Sequence, residues 1–179
     1  MTANLQDALD YLRPGFRAGG HLGAKGDAAQ AAFERLVWHD YGEGFTDAPA
    51  WGEVDAAMAS LSSEQDKAGT LGRIAATRYE HETGGTTVDG MHVATDRQSQ
   101  ALITGAFSSA KDAKETGEPF SIRWKSAGGW VELDADQMIG LGRAVRAHVQ
   151  ACFDREKELT EAVADGTFEE SMLDEDWPE

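Results

Sequence analysis

At 179 residues with 41% apolar side chains, the chain has room for one domain plus an extension, or for two small domains with modest cores. A net charge of −16 and a pI near 4.6 argue against nucleic-acid backbones and anionic membranes as partners. The single cysteine, Cys152, excludes an internal disulfide, and no run approaches the ~18 apolar residues of a membrane-spanning helix. Residues 1–6 lack a basic region followed by an apolar run, so no secretory signal is expected and the chain is expected to be made in a cytoplasm.

Residues 4–12 predict a short helix, with Leu5, Leu9 and Leu12 at helical spacing and Pro14-Gly15 as its stop. Residues 15–27 hold five glycines and read as loop. Asp27 is placed to cap a helix carrying Ala31, Ala32 and Leu36, after which Val37-Trp38 leads into a second loop over residues 39–48. Pro49 suits a first helical turn, and Trp51, Val54, Met58 and Leu61 continue it. Ser62-Ser63-Glu64-Gln65 has the form of a capping box opening a new, long helix. The expected apolar stripe of that helix is Ala68, Leu71, Ile74 or Ala75, and Tyr79, and Gly84-Gly85 ends it.

A hairpin-then-helix plan follows twice. Asp89-Gly90 selects a type I′ turn, pairing Val88 with Met91 and Thr86 with Val93. Thr95 and Gln98 then form a capping box for a helix burying Leu102, Ile103, Ala106, Phe107 and Ala110. In the second hairpin, a four-residue loop over residues 126–129 sets Ile122 opposite Leu133 and Trp124 opposite Val131. The same register sets Arg123 against Glu132 and Lys125 against Trp130, so both faces agree. Asp134 and Gln137 cap a final helix of roughly 45 Å, reaching about residue 164. Met138, Val145, Cys152 and Leu159 recur on it every seven residues. That stripe is too long for two hairpins to cover, which points to packing on the residue 62–83 helix or on another chain. Residues 165–179 mix seven acids with Phe168, Met172, Leu173 and Trp177 and contain no base. This is the pattern of a tail that frays alone or docks on a partner.

The fold class is therefore α+β: a C-terminal α-ββα-ββα unit with two hairpins and a long last helix, behind a mostly helical and loop N-terminal segment. The expected parts are residues 1–61 (attachment module), 62–166 (α-ββα-ββα domain) and 167–179 (acidic tail).

Chemistry is scarce. Residues 19–26 resemble a phosphate loop but lack the Lys-Ser or Lys-Thr and the preceding strand that such a cradle requires. His21, His39, His81, His92 and His148 show no i, i+3 or i, i+4 pair, so no metal site is expected. His148 lies on the apolar stripe, where packing or a pH-sensitive axial position are the alternatives. Cys152, on the same stripe, reads as a small core residue rather than a nucleophile. No catalytic residue or cofactor is nominated, and no enzyme activity is expected. Trp130 falls on the solvent face of its hairpin, where interface contact and stacking on Lys125 are equal alternatives. The interface candidates are Trp51, Trp130, His148, Cys152 and Trp177.

Three blocks carry a family resemblance. They are Ala94-Thr95-Asp96-Arg97-Gln98-Ser99-Gln100-Ala101-Leu102-Ile103-Thr104-Gly105-Ala106, then Ile122-Arg123-Trp124-Lys125, then Arg146-Ala147-His148-Val149-Gln150-Ala151-Cys152-Phe153-Asp154. In this order they resemble an uncharacterised domain of tailed-phage and prophage proteins, encoded among tail-fibre genes, over residues 73–166. Residues 7–15 and 49–54 are similar to a short module that precedes the domain in such proteins, while residues 16–47 depart from it. The family has no established activity, so the resemblance implies context and transfers no site. It implies a phage tail-associated structural or attachment protein, a tail-fibre or baseplate component resident in the virion. Its partners would be other tail or fibre proteins, with a homo-oligomer (trimer) open to it. The alternatives are a tail-fibre assembly chaperone, an acidic DNA-mimic inhibitor and a cell-wall hydrolase.

Overall fold

The computed structural model describes residues 2–14, 18–38, 49–126 and 128–178. The loop expected over residues 39–48 lies outside the described residues. The chain is α+β and divides into two compact units, Met1–Thr70 and Leu71–Glu179.

In the first unit, α1 (Leu5–Leu12) starts from a reciprocal cap. The Asn4 side chain accepts from the Asp7 N–H (3.1 Å), and the Asp7 carboxylate accepts from the Asn4 N–H (2.9 Å). The glycine-rich segment meets two further amides: Leu5 N–H donates to the Ala24 carbonyl (2.9 Å) and Gln6 N–H to the Leu22 carbonyl (2.8 Å). β1 (Ala18–Gly19), in the stretch that reads as loop, pairs antiparallel with β2 (Val37–Trp38); two residues are too few to show alternation in sequence. Between them, α2 (Asp27–Phe33) begins at Gly26 with no side-chain cap, so Asp27 is its first residue rather than its cap. Its buried residues are Ala29 and Ala32; Ala31 points outward. Small side chains let these short elements pack against Leu5, Leu9 and Val54.

The helix α3 (Trp51–Thr83) is continuous, which corrects the start expected at Ser62. Glu53 closes its true start by accepting from the Ala50 N–H (2.9 Å). The Ser62 hydroxyl instead donates to the Met58 carbonyl (2.7 Å) and accepts from the Ala3 N–H (3.0 Å). A serine bonded back four residues sits inside a helix; the capping-box spelling does not distinguish the two situations.

The second unit opens with the end of α3. β3 (Thr86–Val88) and β4 (Met91–Val93) then pair in the predicted register. Asp89 and Gly90 have φ of 50° and 78°, as a type I′ turn requires. α4 (Arg97–Thr116) is capped by Asp96, which accepts from the Gln98 and Ser99 amides (3.0 and 3.1 Å). The expected cap, Thr95, is fully buried instead; its hydroxyl donates to the Glu82 carbonyl (2.6 Å) and accepts from the Gly85 N–H (2.9 Å). Ile103 and Ala110 are buried, but Leu102 is 59% exposed, since it lies about 100° around the helix from Ile103.

β5 (Ser121–Ser126) and β6 (Gly129–Asp134) keep all four predicted pairs. The ladder runs one pair further at each end, Ser121 opposite Asp134 and Ser126 opposite Gly129, so Ser126 and Gly129 belong to strands rather than to the loop. α5 (Ala135–Asp165) starts at the predicted capping box, with both Asp134–Gln137 bonds at 2.9 Å. Its seven-residue line, Met138, Val145, Cys152 and Leu159, is buried. Met138 and Val145 pack with α4 and the hairpins, and Leu159 packs with Ile74 of α3. The stripe that suggested a second chain is therefore covered within this unit. Beyond α5 the tail turns back through a 3-10 helix (Glu170–Asp174) and lays Phe168, Met172, Leu173 and Trp177 against Ile74, Leu159 and Val163. Its apolar residues find their seat on the same chain, which corrects the expectation of a frayed tail.

Candidate functional site

The inward-facing line of α3 in the second unit is Ile74, Arg78 and Glu82, each one turn beyond the last, with Ile74 and Glu82 buried and Arg78 partly so. Glu82 is 0% exposed, whereas the predicted stripe residues Leu71 and Tyr79 are 37% and 48% exposed. Burying a carboxylate requires compensating charge and donors, and three side chains supply them. Arg78 pairs with Glu82 along α3 and with Glu156 of α5 (3.1 Å). Arg97, at the start of α4, forms an ion pair with Glu82 Oε1 (2.8 Å) and donates an N–H bond to Glu82 Oε2 (3.2 Å). The Gln100 amide donates to Glu82 Oε1 (3.2 Å) and to the Thr95 carbonyl (2.7 Å). Both Glu82 oxygens are thus engaged, and the cluster works as a clamp joining α3, α4 and α5.

The outward side of the clamp is aromatic. The Arg78 guanidinium lies 4.5 Å from the Phe153 ring centroid and 5.9 Å from that of Tyr79, and Arg97 lies 5.7 Å from Tyr79. Phe153 is 41% exposed. Tyr79, Arg97, Arg78 and Phe153 therefore form one contiguous surface, held in place from beneath by a buried carboxylate.

Between α4 and α5 runs an open groove of about 400 Å³, with Ile103, Phe107, Val145 and Val149 below and Gln100, Thr104, Arg143 and Arg146 around it. Gly142 lets the helices close on its floor, since a Cβ there would stand 2.7 Å from Phe107 Cδ2. At the start of α4, the Ser99 hydroxyl bonded to Asp96 leads the causes that hold the Asp96 carboxyl below its ordinary value of 3.8. Among the described residues no group of three or more His, Cys, Asp or Glu side chains is placed to hold a metal ion.

Residues 65–176 match the family described as Domain of unknown function (DUF4376). The chain belongs to that family. Neither a curated protein nor a solved structure matches the chain. The DUF4376 region takes in the Glu82 clamp, its aromatic surface, the α4–α5 groove and the folded-back tail as far as Asp176, and leaves α1 and α2 outside.

Of the five residues nominated from sequence, four lie in the DUF4376 region or directly beside it. His148 is 7% exposed, and its Nε2–H donates to the His81 carbonyl (3.1 Å). That bond keeps a proton on Nε2, so this nitrogen cannot take one from the Cys152 thiol 3.9 Å away. Burial, and next the charge of Glu82, push the Cys152 thiol up to about 11, so it stays protonated at neutral pH. Trp177 is half-buried: its ring stacks on His81 (5.0 Å, 6°) and its Nε1–H donates to the Leu173 carbonyl (2.7 Å). Trp130 is 71% exposed on the outer face of the β5–β6 hairpin. Trp51, in the first unit, is half-buried and tilted against Phe33 at 5.6 Å. Three of the nominated residues are linked, since His148 touches Cys152 and both His148 and Trp177 contact His81, whereas Trp130 lies on its hairpin and Trp51 in the first unit.

The clamp, the arginine–aromatic surface and the groove arginines escaped the sequence reading. Arg78–Glu82 and Arg97–Gln100 have helical i, i+4 and i, i+3 spacing, but solvated helix faces show the same spacing. Only contact between α3 and α4 makes Glu82 special.

Proposed function

We propose that the chain is a phage tail-associated structural or attachment protein, a tail-fibre or baseplate component that acts through protein–protein contacts. The observation that carries this reading is the surface of Tyr79, Arg97, Arg78 and Phe153. Aromatic and arginine side chains are the types enriched at protein interfaces. Here they are pre-positioned by the buried Glu82, so little side-chain freedom is lost when a partner covers them. The exposed Trp130 on a two-stranded ribbon is a second anchor. The phage context is supported by the three sequence blocks that resemble tail-region proteins. In this reading the N-terminal unit attaches the DUF4376 region to a neighbouring tail or fibre protein, and the protein resides in the virion after synthesis in the host cytoplasm. A trimer would have to use a surface other than the seven-residue line of α5, which is buried within the chain.

The test is mass spectrometry of particles purified from a lysate of the host that carries the gene. Copies at a fixed ratio to tail proteins support the structural role. Association with a tail protein in the lysate, combined with absence from particles, replaces it with the assembly-chaperone role. Association with no tail protein in either sample refutes both.

A further inference from the structure

We propose that the α4–α5 groove is a docking site for an acidic segment of a partner protein that inserts apolar side chains between two carboxylates. The groove has the volume of a ligand pocket, about 400 Å³, within the usual range of roughly 300–1,000 Å³. Its floor is apolar: Ile103, Phe107, Val145 and Val149. Its rim carries Arg143 and Arg146, both exposed, one turn apart on α5. Among the described residues neither arginine makes an ion pair, although acids outnumber bases 32 to 16 along the chain. In so acidic a protein, two guanidiniums left beside an apolar trough form a local site of opposite charge, complementary to a partner's carboxylates.

The chain's own tail shows how such an occupant sits. It seats Phe168, Met172 and Leu173 on the α3–α5 seam. Arg73 grips Glu170 through two bonds (2.6 and 2.7 Å), and Arg155 donates to the Met172 carbonyl (3.1 Å). The α4–α5 groove repeats that layout, an apolar seam between two helices with guanidiniums at its edge. Because the tail is already committed to its own seam, the occupant of the second groove comes from another protein. This inference rests on the reading of the chain as a protein-contact module but not on its place in a particle, so the particle analysis can fail while the groove assay succeeds, and the reverse.

The probe is a fluorescein-labelled peptide with the sequence of residues 166–178, which carries the required chemistry. It is added to the full chain at low salt, with anisotropy giving affinity and amide chemical shifts giving location. The attached tail outcompetes free peptide for its own seam through its high effective concentration. The expected result is saturable binding with shifts on α4 and α5 around Phe107 and Arg143. Affinity should fall about tenfold or more in Arg143→Glu/Arg146→Glu and to a smaller extent in Arg143→Gln/Arg146→Gln. Both arginines are exposed, and matching thermal melts will show that the variants fold. No binding up to about 1 mM, binding indifferent to both arginine variants, or shifts confined to the tail seam would each overturn the proposal. Concentration-dependent self-association abolished by the same variants would replace the partner with a second copy, and so would overturn it as stated.

Discussion

Replacing Glu82 by glutamine tests whether the second unit is held by its buried charge cluster. The substitution keeps shape and one acceptor oxygen but removes the negative charge shared by Arg78 and Arg97. Arg78 is only 14% exposed and would keep Glu156 as its ionic partner, whereas Arg97 is 56% exposed and can turn to water. Charge-assisted hydrogen bonds contribute roughly 1.5–3 kcal/mol each, and breaking one side of a buried pair costs about 3–5 kcal/mol. With Arg97 recovering part of its loss in solvent, the expected destabilisation of Glu82→Gln is about 3 kcal/mol. For a unit of about 110 residues this lowers the melting temperature by roughly 12 °C. Arg97→Ala, which leaves the carboxylate paired with Arg78, should cost about 1 kcal/mol. Thermal and urea melts followed by circular dichroism give both values, and the Glu82→Gln/Arg97→Ala double variant gives their coupling. A Glu82→Gln protein within about 0.5 kcal/mol of the parent would refute the reasoning, because the cost of desolvating the charges would then cancel their attraction.

Two neighbouring glycines of α5 should respond with opposite sign. Gly140 has no atom within 4 Å of an added Cβ, so Gly140→Ala should stabilise by about 0.5–1 kcal/mol in urea melts. Gly142→Ala drives a methyl into the Phe107 ring and should destabilise by about 1–2 kcal/mol; equal shifts for the two variants would contradict the close approach of α4 and α5. The buried Cys152 thiol, pushed up to about 11, should react with a disulfide reagent at mildly alkaline pH only after denaturation, and rapid stoichiometric labelling of the folded protein would rule out its burial. The Asp96 carboxyl should titrate below 3.8 in a carbon-detected NMR experiment, and Ser99→Ala should move it back up. Because the folded value is depressed, the stabilisation from this cap is present above the ordinary carboxyl range and is lost as pH falls through the folded value. A titration at or above 3.8 in the parent protein would dismiss the bond from Ser99.

Local rules reached far into this chain. Asp89-Gly90 sets both positive φ angles of its turn, and alternating side chains on both faces of residues 120–133 admit one register, so the hairpins were legible as written. The Asp134–Gln137 cap and the seven-residue line of α5 were legible for the same reason: each is settled by side chains a few positions apart. Ser62 and Thr95 were misread because a hydroxyl near a helix can cap it, bond back into it or face the core. Which of these happens depends on the residues packed around it, Met58 and Ala3 in one case and Glu82 and Gly85 in the other.

The sequence by itself determined the α+β class, the order of elements from β3 to α5 and the register of the β3–β4 and β5–β6 hairpins, since these follow from periodicity, turn chemistry and caps. Tertiary structure alone decided that Glu82 would be buried, that the acidic tail would lie on the α3–α5 seam and that Arg143 and Arg146 would edge a groove. A charged residue has the same local pattern on a solvated face as in a clamp. Its role is set by which distant side chains come to meet it, and that information exists only once the helices have packed.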